Sequence, residues 1–293
     1  MARRLPPRRR WLRGLLMGLA VLVLGLAAAA WIVGTRLSSP AQRPVGPAPG
    51  DLAASEVRFD GLQGWFVPGR PGAACVLLMH GIHADRRSMV DRARFLQRAG
   101  YASFLFDFRA HGESPGEHIT FGHGEALDAH AALRVLRETF RCPRVAAIGD
   151  SLGGAAALLG PGPLPVEGLV LEAVYATIEE AVADRIEMRL GRWGRMLEPL
   201  LTLQLRWRFR IDPAQLRPID RIGAYGHPVL VIAGVEDRHT RIEASRRLFA
   251  AARHGGEMWE VSGAAHADFH RFATAEYERR VLAYLSRTLG PAR

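Results

Sequence analysis

Short, wholly apolar runs alternate with amphipathic segments along most of this 293-residue chain. Cys75–Met79, Val145–Ile148 and Val229–Ala233 are the clearest of these runs. Runs of this length are typical of strands that are buried on both faces. Since such strands need helices packed against each face, the alternation predicts an α/β fold with a mostly parallel sheet.

The same pattern predicts the order of the elements. An opening hairpin and six further strands are expected at Val57–Asp60, Gln63–Val67, Cys75–Met79, Tyr101–Phe106, Val145–Ile148, Leu169–Leu171, Val229–Ala233 and Met258–Val261. Helices are expected at Ser88–Ala99, Phe121–Phe140, Ser151–Leu159, Arg241–Ala252 and Phe269–Leu289. Ligands of such sheets bind at the carboxyl ends of the strands, so the residues directly after each strand are candidates for a site.

A Gly-x-Ser-x-Gly sequence stands between a predicted strand and a predicted helix. It is part of GDSLGG at residues 149–154. A sharp turn at this place holds the serine hydroxyl exposed, and its small residues allow neighbouring backbone to approach closely. Ser151 is therefore predicted to be a nucleophile. The alternative is a serine that only caps the following helix.

An acid and a histidine follow two later strand ends, at Asp237 and His266. An imidazole can take the proton of a serine hydroxyl, and a carboxylate holds that imidazole in its working tautomer and stabilises its charged form. The chain order Ser, Asp, His is the order of enzymes with this kind of turn. Glu236 is the alternative acid. His239 and His270 are the alternative bases, and His270 ranks second because it falls within a predicted helix.

The strand end at Met79 is followed by His80-Gly81-Ile82. A glycine here suits a loop whose backbone N–H groups approach the substrate, so we expect an oxyanion hole formed by the N–H groups of Leu152 and Ile82. His80 itself is expected to be a structural hydrogen-bonding residue.

With these motifs the chain resembles the α/β-hydrolase superfamily, and within it the bacterial serine hydrolases that include Bem46-like proteins. The matching segments are LLMHGIHADRRSM at 77–89, GYASFLFDFRAHGESPGE at 100–117, GDSLGG at 149–154, PVLVIAGVEDRHT at 228–240 and GAAHADF at 263–269. The resemblance implies an eight-stranded type of sheet, no cofactor, and a catalytic triad of Ser151, Asp237 and His266. Asp150 departs from the group's usual uncharged or basic residue, and an acid there would disfavour anionic substrates.

An uncharged apolar stretch runs from Gly14 to Gly34, long enough to cross a bilayer as a helix. Six arginines precede it, namely Arg3, Arg4, Arg8, Arg9, Arg10 and Arg13, whereas only Arg36 and Arg43 follow closely. The positive-inside rule then predicts a single-pass cytoplasmic (inner) membrane protein whose N-terminus is in the cytoplasm and whose catalytic domain is outside it. The alternative is a signal peptide, cleaved at Ala27–Ala30 or at Ser39-Pro40-Ala41, that releases the same domain.

The charge and composition divide the chain into three parts. Residues 1–35 hold the Arg-rich segment and the membrane helix, 36–52 form a Pro- and Gly-rich tether, and 53–293 form the hydrolase domain. The formal net charge is +10, but residues 1–50 contain eight Arg and no acid, so the rest of the chain is almost neutral. Nucleic acid is therefore not an expected partner.

Residues 176–225 separate two strands and are predicted to form a small helical cap over the site. One hypothesis places Trp193 and Trp207, each flanked by Arg, in the membrane surface. Cys75 and Cys142 are expected to be core thiols. The histidine groups His80/His83 and His118/His123/His130 lack accompanying acid or cysteine ligands, so no metal site is predicted.

The prediction for the whole chain is a membrane-anchored serine hydrolase that cleaves small-molecule or lipid-like carboxylic esters through an acyl-enzyme. The alternatives are a peptidase, a thioesterase or an acyltransferase with the same triad, and a non-catalytic anchored binding module.

Overall fold

The computed structural model describes residues 7–290, with side chains described from residue 11 onward. Arginines 3, 4 and 8 to 10, on which the predicted membrane orientation largely depends, lie outside the described side chains. The fold within the described range is a mostly parallel sheet covered by helices on both faces, so the predicted α/β-hydrolase fold is confirmed.

The elements follow one another in nearly the predicted order. The strands are β1 (Ala41–Gln42), β2 (Ser55–Phe59), β3 (Leu62–Val67), β4 (Cys75–Met79), β5 (Ala102–Phe106), β6 (His111–Gly112), β7 (Val145–Asp150), β8 (Gly168–Glu172), β9 (Val229–Gly234) and β10 (Gly256–Val261). The helices are α1 (Pro7–Ser38), α2 (Val90–Ala99), α3 (His123–Arg134), α4 (Leu152–Leu158), α5 (Ile178–Leu190), α6 (Glu198–Phe209), α7 (Pro218–Arg221), α8 (Ile242–Ala250), α9 (Phe269–Phe272) and α10 (Thr274–Leu289).

Eight strands form the main sheet in the order β10-β9-β8-β7-β4-β5-β3-β2. β3 is antiparallel to both β2 and β5, and all other neighbouring pairs are parallel. β4, β5, β7, β8 and β9 occupy the middle of this sheet and are buried on both faces, which explains their continuous apolar sequences. The carboxyl ends of β4, β7, β9 and β10 lie along one edge, where the predicted site residues follow them.

Two of the long predicted helices are interrupted. The segment predicted as Phe121–Phe140 begins its helix at His123 and ends in a π-helical turn at Val135–Thr139. The closing helix is split at Ala273, whose backbone leaves the helical region, so that α9 and α10 are separate elements. Neither break has a proline to mark it in the sequence.

The segment predicted as a tether, residues 36–52, is mostly exposed but is attached to the domain. β1 pairs in parallel with β6, and the N–H of Ile119 donates to the carbonyl oxygen of Ser38 at 2.9 Å. Val45 and Leu52 are buried against the domain. The apolar helix α1 therefore continues into a segment that is fixed on the hydrolase domain rather than hanging free from it.

The two cysteines are not the core thiols that we expected. Cys75, at the start of β4, and Cys142, before β7, form a disulfide with a Cα–Cα distance of 5.8 Å. The prediction failed because the two residues are 67 positions apart, and only the arrangement of the strands brings them together. Disulfides are typical of proteins that fold in oxidising compartments.

Candidate active site

Ser151 lies at the sharp turn between β7 and α4, in a backbone conformation that L-residues rarely adopt, with φ of 47°. The glycines around Ser151 are required because neighbouring backbone atoms leave no room for a side chain. A Cβ atom on Gly149 would lie 2.5 Å from Gly154 Cα, and one on Gly153 would lie 2.4 Å from the carbonyl oxygen of Met79. The GDSLGG sequence thus forms the turn that the chain pattern predicts, with the serine side chain held at the edge of the sheet.

His266 and Asp237 are joined directly. The distance from His266 Nδ1 to Asp237 Oδ2 is 2.7 Å. Asp237 is buried, and its other carboxylate oxygen accepts hydrogen bonds from the backbone N–H groups of His239 at 2.7 Å and Thr240 at 2.9 Å. These bonds fix the carboxylate, and the carboxylate in turn orients the imidazole so that Nε2 is free for a proton transfer. Glu236, the alternative acid, is exposed to solvent.

Ser151 and His266 follow β7 and β10 on the same edge of the sheet, and they are not hydrogen-bonded to each other within residues 7–290. Catalytic hydrogen bonds are often long in enzymes without substrate and shorten when substrate binds. The structure thus brings together the candidate acid and the candidate base, and it places the candidate nucleophile on the same edge of the sheet.

Leu152 and Ile82, the two residues predicted to supply the oxyanion hole, pack in one small apolar cluster beside Ser151. Leu152 is the first residue of α4, where a backbone N–H has no partner within the helix. A Cβ atom on Gly81 would lie 2.7 Å from an Asp150 carboxylate oxygen, so a larger residue here would displace the Asp150 side chain next to the nucleophile.

Two of the other histidines, His80 and His270, have partners away from the serine hydroxyl. His80 is fully buried, its Nδ1 lies 2.8 Å from the carbonyl oxygen of Gly81, and its Nε2 accepts a hydrogen bond from the N–H of Phe108. Burial, together with nearby His111, lowers the pKa of His80 to about 3, which keeps the ring neutral. His270 contacts Glu278 at 3.1 Å rather than any residue at the serine turn.

A buried charged cluster beneath the serine turn was missed in the sequence. Arg92 of α2 forms ion pairs with Glu172 at 2.5 Å and with Asp268 at 3.0 Å, and the hydroxyl of Tyr277 donates to Glu172. A signal was present: Arg92 falls on the same helical face as the apolar residues of its segment, and Glu172 directly follows a buried strand.

Asp150, next to the nucleophile, faces this cluster. Burial, with the charge of Glu172 adding to it, raises the pKa of Asp150 from 3.8 to about 6. Arg92 and His266 act in the opposite direction. A carboxyl that holds its proton into mildly acidic solution is thus placed one residue from the serine.

One pocket reaches Ser151 from beneath the cap. Its lining is mainly apolar, and the residues that form it are Gly34, Leu37, Ile82, Phe121, Ser151, Leu152, Tyr175, Ile178, Ala181, Val182, Arg185, Leu201, Thr202, Gln204, Leu205, Arg208 and Phe209. The described residues contain no group of three or more His, Cys, Asp or Glu side chains placed to hold a metal ion.

Residues 70–218 match the sequence profile of the family described as serine aminopeptidase, S33. The chain belongs to this family. It is a serine hydrolase with the α/β-hydrolase fold, as the sequence predicted. The narrower Bem46-like grouping remains a prediction.

One relative and two solved structures are also similar to this chain, and the solved structures share its fold. The uncharacterized protein Rv2307c of Mycobacterium tuberculosis is 31% identical over 233 residues, which cover 78% of this chain and 76% of that protein. The esterase Pf2001 of Pyrococcus furiosus has a TM-score of 0.69 at 22% identity and covers 87% of this chain and 99% of its own. The thermophilic esterase Est2 of Thermogutta terrifontis has a TM-score of 0.62 at 17% identity, with coverage of 84% and 98%.

Proposed function

We propose that this protein hydrolyses carboxylic esters with Ser151 as the nucleophile, His266 as the general base and acid, and Asp237 as the residue that orients His266. The contact between His266 and Asp237 carries the proposal, because it leaves Nε2 of the imidazole available to the serine hydroxyl. The esterases with the same fold agree with this reaction class.

The reaction proceeds in two halves. Ser151 Oγ attacks the carbonyl carbon of the ester while His266 takes its proton, and the oxyanion accepts hydrogen bonds from the N–H groups of Leu152 and Ile82. The alcohol leaves with the proton from His266. Water then attacks the acyl-enzyme with His266 again as the base, and the carboxylic acid is released with Ser151 restored.

The family description makes an aminopeptidase the second candidate. An aminopeptidase must bind the positively charged amino terminus of its substrate, which is a task for carboxylates. Among the described residues, those that line the pocket include Arg185 and Arg208 and no carboxylate. This lining favours an ester with an apolar acyl group over a peptide with a free ammonium group.

We also propose that α1 is a retained membrane anchor and that the hydrolase domain is outside the cytoplasm. Trp11–Ser38 is long and apolar enough to span a bilayer, and its most apolar part is not buried against the protein. The attachment of its carboxyl end to the domain favours retention over cleavage. The Cys75–Cys142 disulfide supports placement in an oxidising compartment.

A fluorophosphonate probe tests the reaction class on the full-length protein. We expect the wild type to be labelled and to cleave p-nitrophenyl esters, and we expect Ser151→Ala to lose both properties. Aminoacyl p-nitroanilides separate the two candidates, because an aminopeptidase cleaves these in preference to the esters. If the probe does not label the folded wild type, and neither substrate series is cleaved, the protein is not a serine hydrolase of this kind.

A further inference from the structure

The carboxyl end of the apolar helix α1 is part of the pocket that reaches Ser151. Gly34 and Leu37 of α1 line the pocket on one side, and Leu201 and Leu205 of α6 belong to the same lining. A segment that resembles a simple anchor thus contributes to the surface that a substrate contacts. The kind of substrate that binds there should therefore depend on this helix.

The contact between α1 and the cap helix α6 is specific. The side-chain amide of Gln204 donates to the carbonyl oxygen of Ala30 at 3.0 Å. The guanidinium of Arg208 lies 4.7 Å from the centre of the Trp31 ring, the geometry of a cation–π contact. At Gly34 the helices approach so closely that a Cβ atom would lie 2.4 Å from Gln204 Oε1.

The position of Gly34 along α1 sets the depth of the pocket in a membrane. The uncharged stretch from Gly14 to Gly34 has 21 residues. As a helix it spans about 31 Å, close to the hydrocarbon thickness of about 30 Å. Gly34 therefore lies at the outer boundary of the hydrocarbon, and the pocket beside it lies at the level of the lipid headgroups.

The outer face of α6 is apolar at the same level. Leu200, Leu203 and Trp207 follow the spacing of one helical face and are 41%, 45% and 77% exposed. Trp193 and Met196, on the short segment before α6, are also exposed. An exposed stripe of leucine and tryptophan next to a membrane helix is typical of a surface that enters the membrane interface.

From these contacts we infer that the substrate is a long-chain acyl ester that resides in the bilayer, and that its acyl chain lies in the pocket between α1 and α6. The inference rests on the proposed esterase function and on the retained anchor. The ester group would reach Ser151 while the acyl chain passes the Gly34 side of the pocket, next to the hydrocarbon from which it comes. An ester dissolved in water has no need of a pocket wall formed by the membrane helix.

The test uses the full-length protein in phosphatidylcholine nanodiscs, with p-nitrophenyl hexadecanoate and p-nitrophenyl acetate as substrates. Gly34→Leu places a side chain in the acyl pocket, and the flexible end of Gln204 can move to accept it. We expect the ratio of kcat/KM for hexadecanoate to kcat/KM for acetate to fall about tenfold or more. Gly25→Leu is the matched control, because a Cβ atom there meets nothing within 4 Å, and we expect it to keep the wild-type ratio.

A second variant and a second measurement distinguish a change in the pocket from a folding defect in Gly34→Leu. Leu37→Ala shortens the same wall without adding bulk, and we expect KM for hexadecanoate to rise about threefold to tenfold. The rate of labelling by a hexadecyl fluorophosphonate, compared with an ethyl analogue, should fall in Gly34→Leu and not in Gly25→Leu.

The outcomes separate this inference from the proposed function. If wild type cleaves acetate and is labelled at Ser151, but Gly34→Leu leaves the ratio unchanged, the acyl pocket is not formed by α1 and the inference is overturned while the function stands. If wild type shows no preference for the long chain in nanodiscs, the bilayer is not the source of the substrate. If neither ester is cleaved and no labelling occurs, the esterase function itself fails.

Discussion

The backbone N–H of Ser151 donates a hydrogen bond of 2.7 Å to the carbonyl oxygen of Glu172, at the end of β8. The side chain of Glu172 is fully buried and is paired with Arg92. The turn that holds the candidate nucleophile is therefore tied to a buried ion pair, so the stability of that ion pair bears directly on the position of the serine.

The first prediction concerns this buried pair. In Glu172→Gln the buried guanidinium of Arg92 loses its ion pair with Glu172 and keeps the one with Asp268, whose side chain is 31% exposed to solvent. We expect the free energy of unfolding to fall by about 3–5 kcal/mol, the range for breaking a buried ion pair. Denaturant titration of the protein in detergent measures the change.

The matched control is Glu260→Gln, which breaks a surface pair with Arg246. Because solvent screens that pair, its loss should cost less than about 1 kcal/mol. Equal losses in the two variants would show that the buried cluster has no special part in stability.

The second prediction decides which acid orients His266. Asp237→Asn keeps the size of the side chain but removes the charge that stabilises the imidazolium and fixes the tautomer, so we expect kcat for ester hydrolysis to fall by about 10³–10⁴-fold. Glu236→Gln changes an exposed carboxylate beside it and should leave kcat as in wild type. Steady-state kinetics with a p-nitrophenyl ester distinguishes the two, and a larger loss in Glu236→Gln would reassign the acid.

The elements that could be predicted were those fixed by local pattern. β4 begins and ends at the predicted residues, Cys75 and Met79, because every side chain in it is buried, small residues precede it, and His80 and Gly81 follow it. The serine turn was predicted because the glycines in GDSLGG have to be there: contacts of 2.5 Å and less leave no room for a side chain. Asp237 and His266 followed from chain order, and the structure places them in contact.

What could not be predicted depends on partners far away in the sequence. Pairing of Cys75 with Cys142 requires knowing that β4 lies next to β7, which only the sheet order reveals. Gly34 packs against Gln204, 170 positions away in the sequence. No local pattern around either residue indicates this contact. The N-terminal sequence predicts a membrane anchor and a tether. Hydrophobic periodicity predicts a helix but not the element against which it packs, so the contact between α1 and the cap could not be predicted.

A third prediction follows from the raised pKa of Asp150. Between pH 4 and pH 6 the folded protein holds a proton on Asp150 that the unfolded chain has released, so this residue makes the free energy of unfolding decline as pH rises. The facing groups are Glu172 and Asp268, which favour the protonated form, and Arg92 and His266, which oppose it.

Asp150→Asn has no carboxyl to ionise and should lack this decline. Its stability relative to wild type should therefore increase by about 1–2 kcal/mol between pH 4 and pH 7, less than the full shift because the side chain is half-buried. Urea titrations at the two pH values measure the difference. If the variant and wild type change in parallel with pH, Asp150 does not carry a raised pKa.

The fourth prediction concerns the disulfide. Linking Cys75 to Cys142 restricts the unfolded chain over 67 residues, and native disulfides typically contribute about 2–4 kcal/mol. We expect dithiothreitol to lower Tm of the wild type and to leave Tm of Cys75→Ala/Cys142→Ala unchanged. A thiol assay on the unfolded wild type should find no free thiol before reduction, and two free thiols at that stage would contradict the pairing.

The fifth prediction tests the strain at the nucleophile. Ser151 has φ of 47°, a conformation that glycine adopts without penalty and that alanine adopts only at a cost. Replacing a residue by glycine normally destabilises a protein relative to alanine, because glycine has more freedom in the unfolded chain. Here we expect the opposite order, with Ser151→Gly more stable than Ser151→Ala by about 1 kcal/mol.

Both variants lack the hydroxyl and should be equally inactive, so the comparison isolates the effect of the backbone on stability. Thermal unfolding of the two variants, with the pair Ser88→Gly and Ser88→Ala at an exposed position of a short 3-10 helix as reference, gives the answer. If alanine is the more stable of the two at both positions, the turn at Ser151 stores no strain.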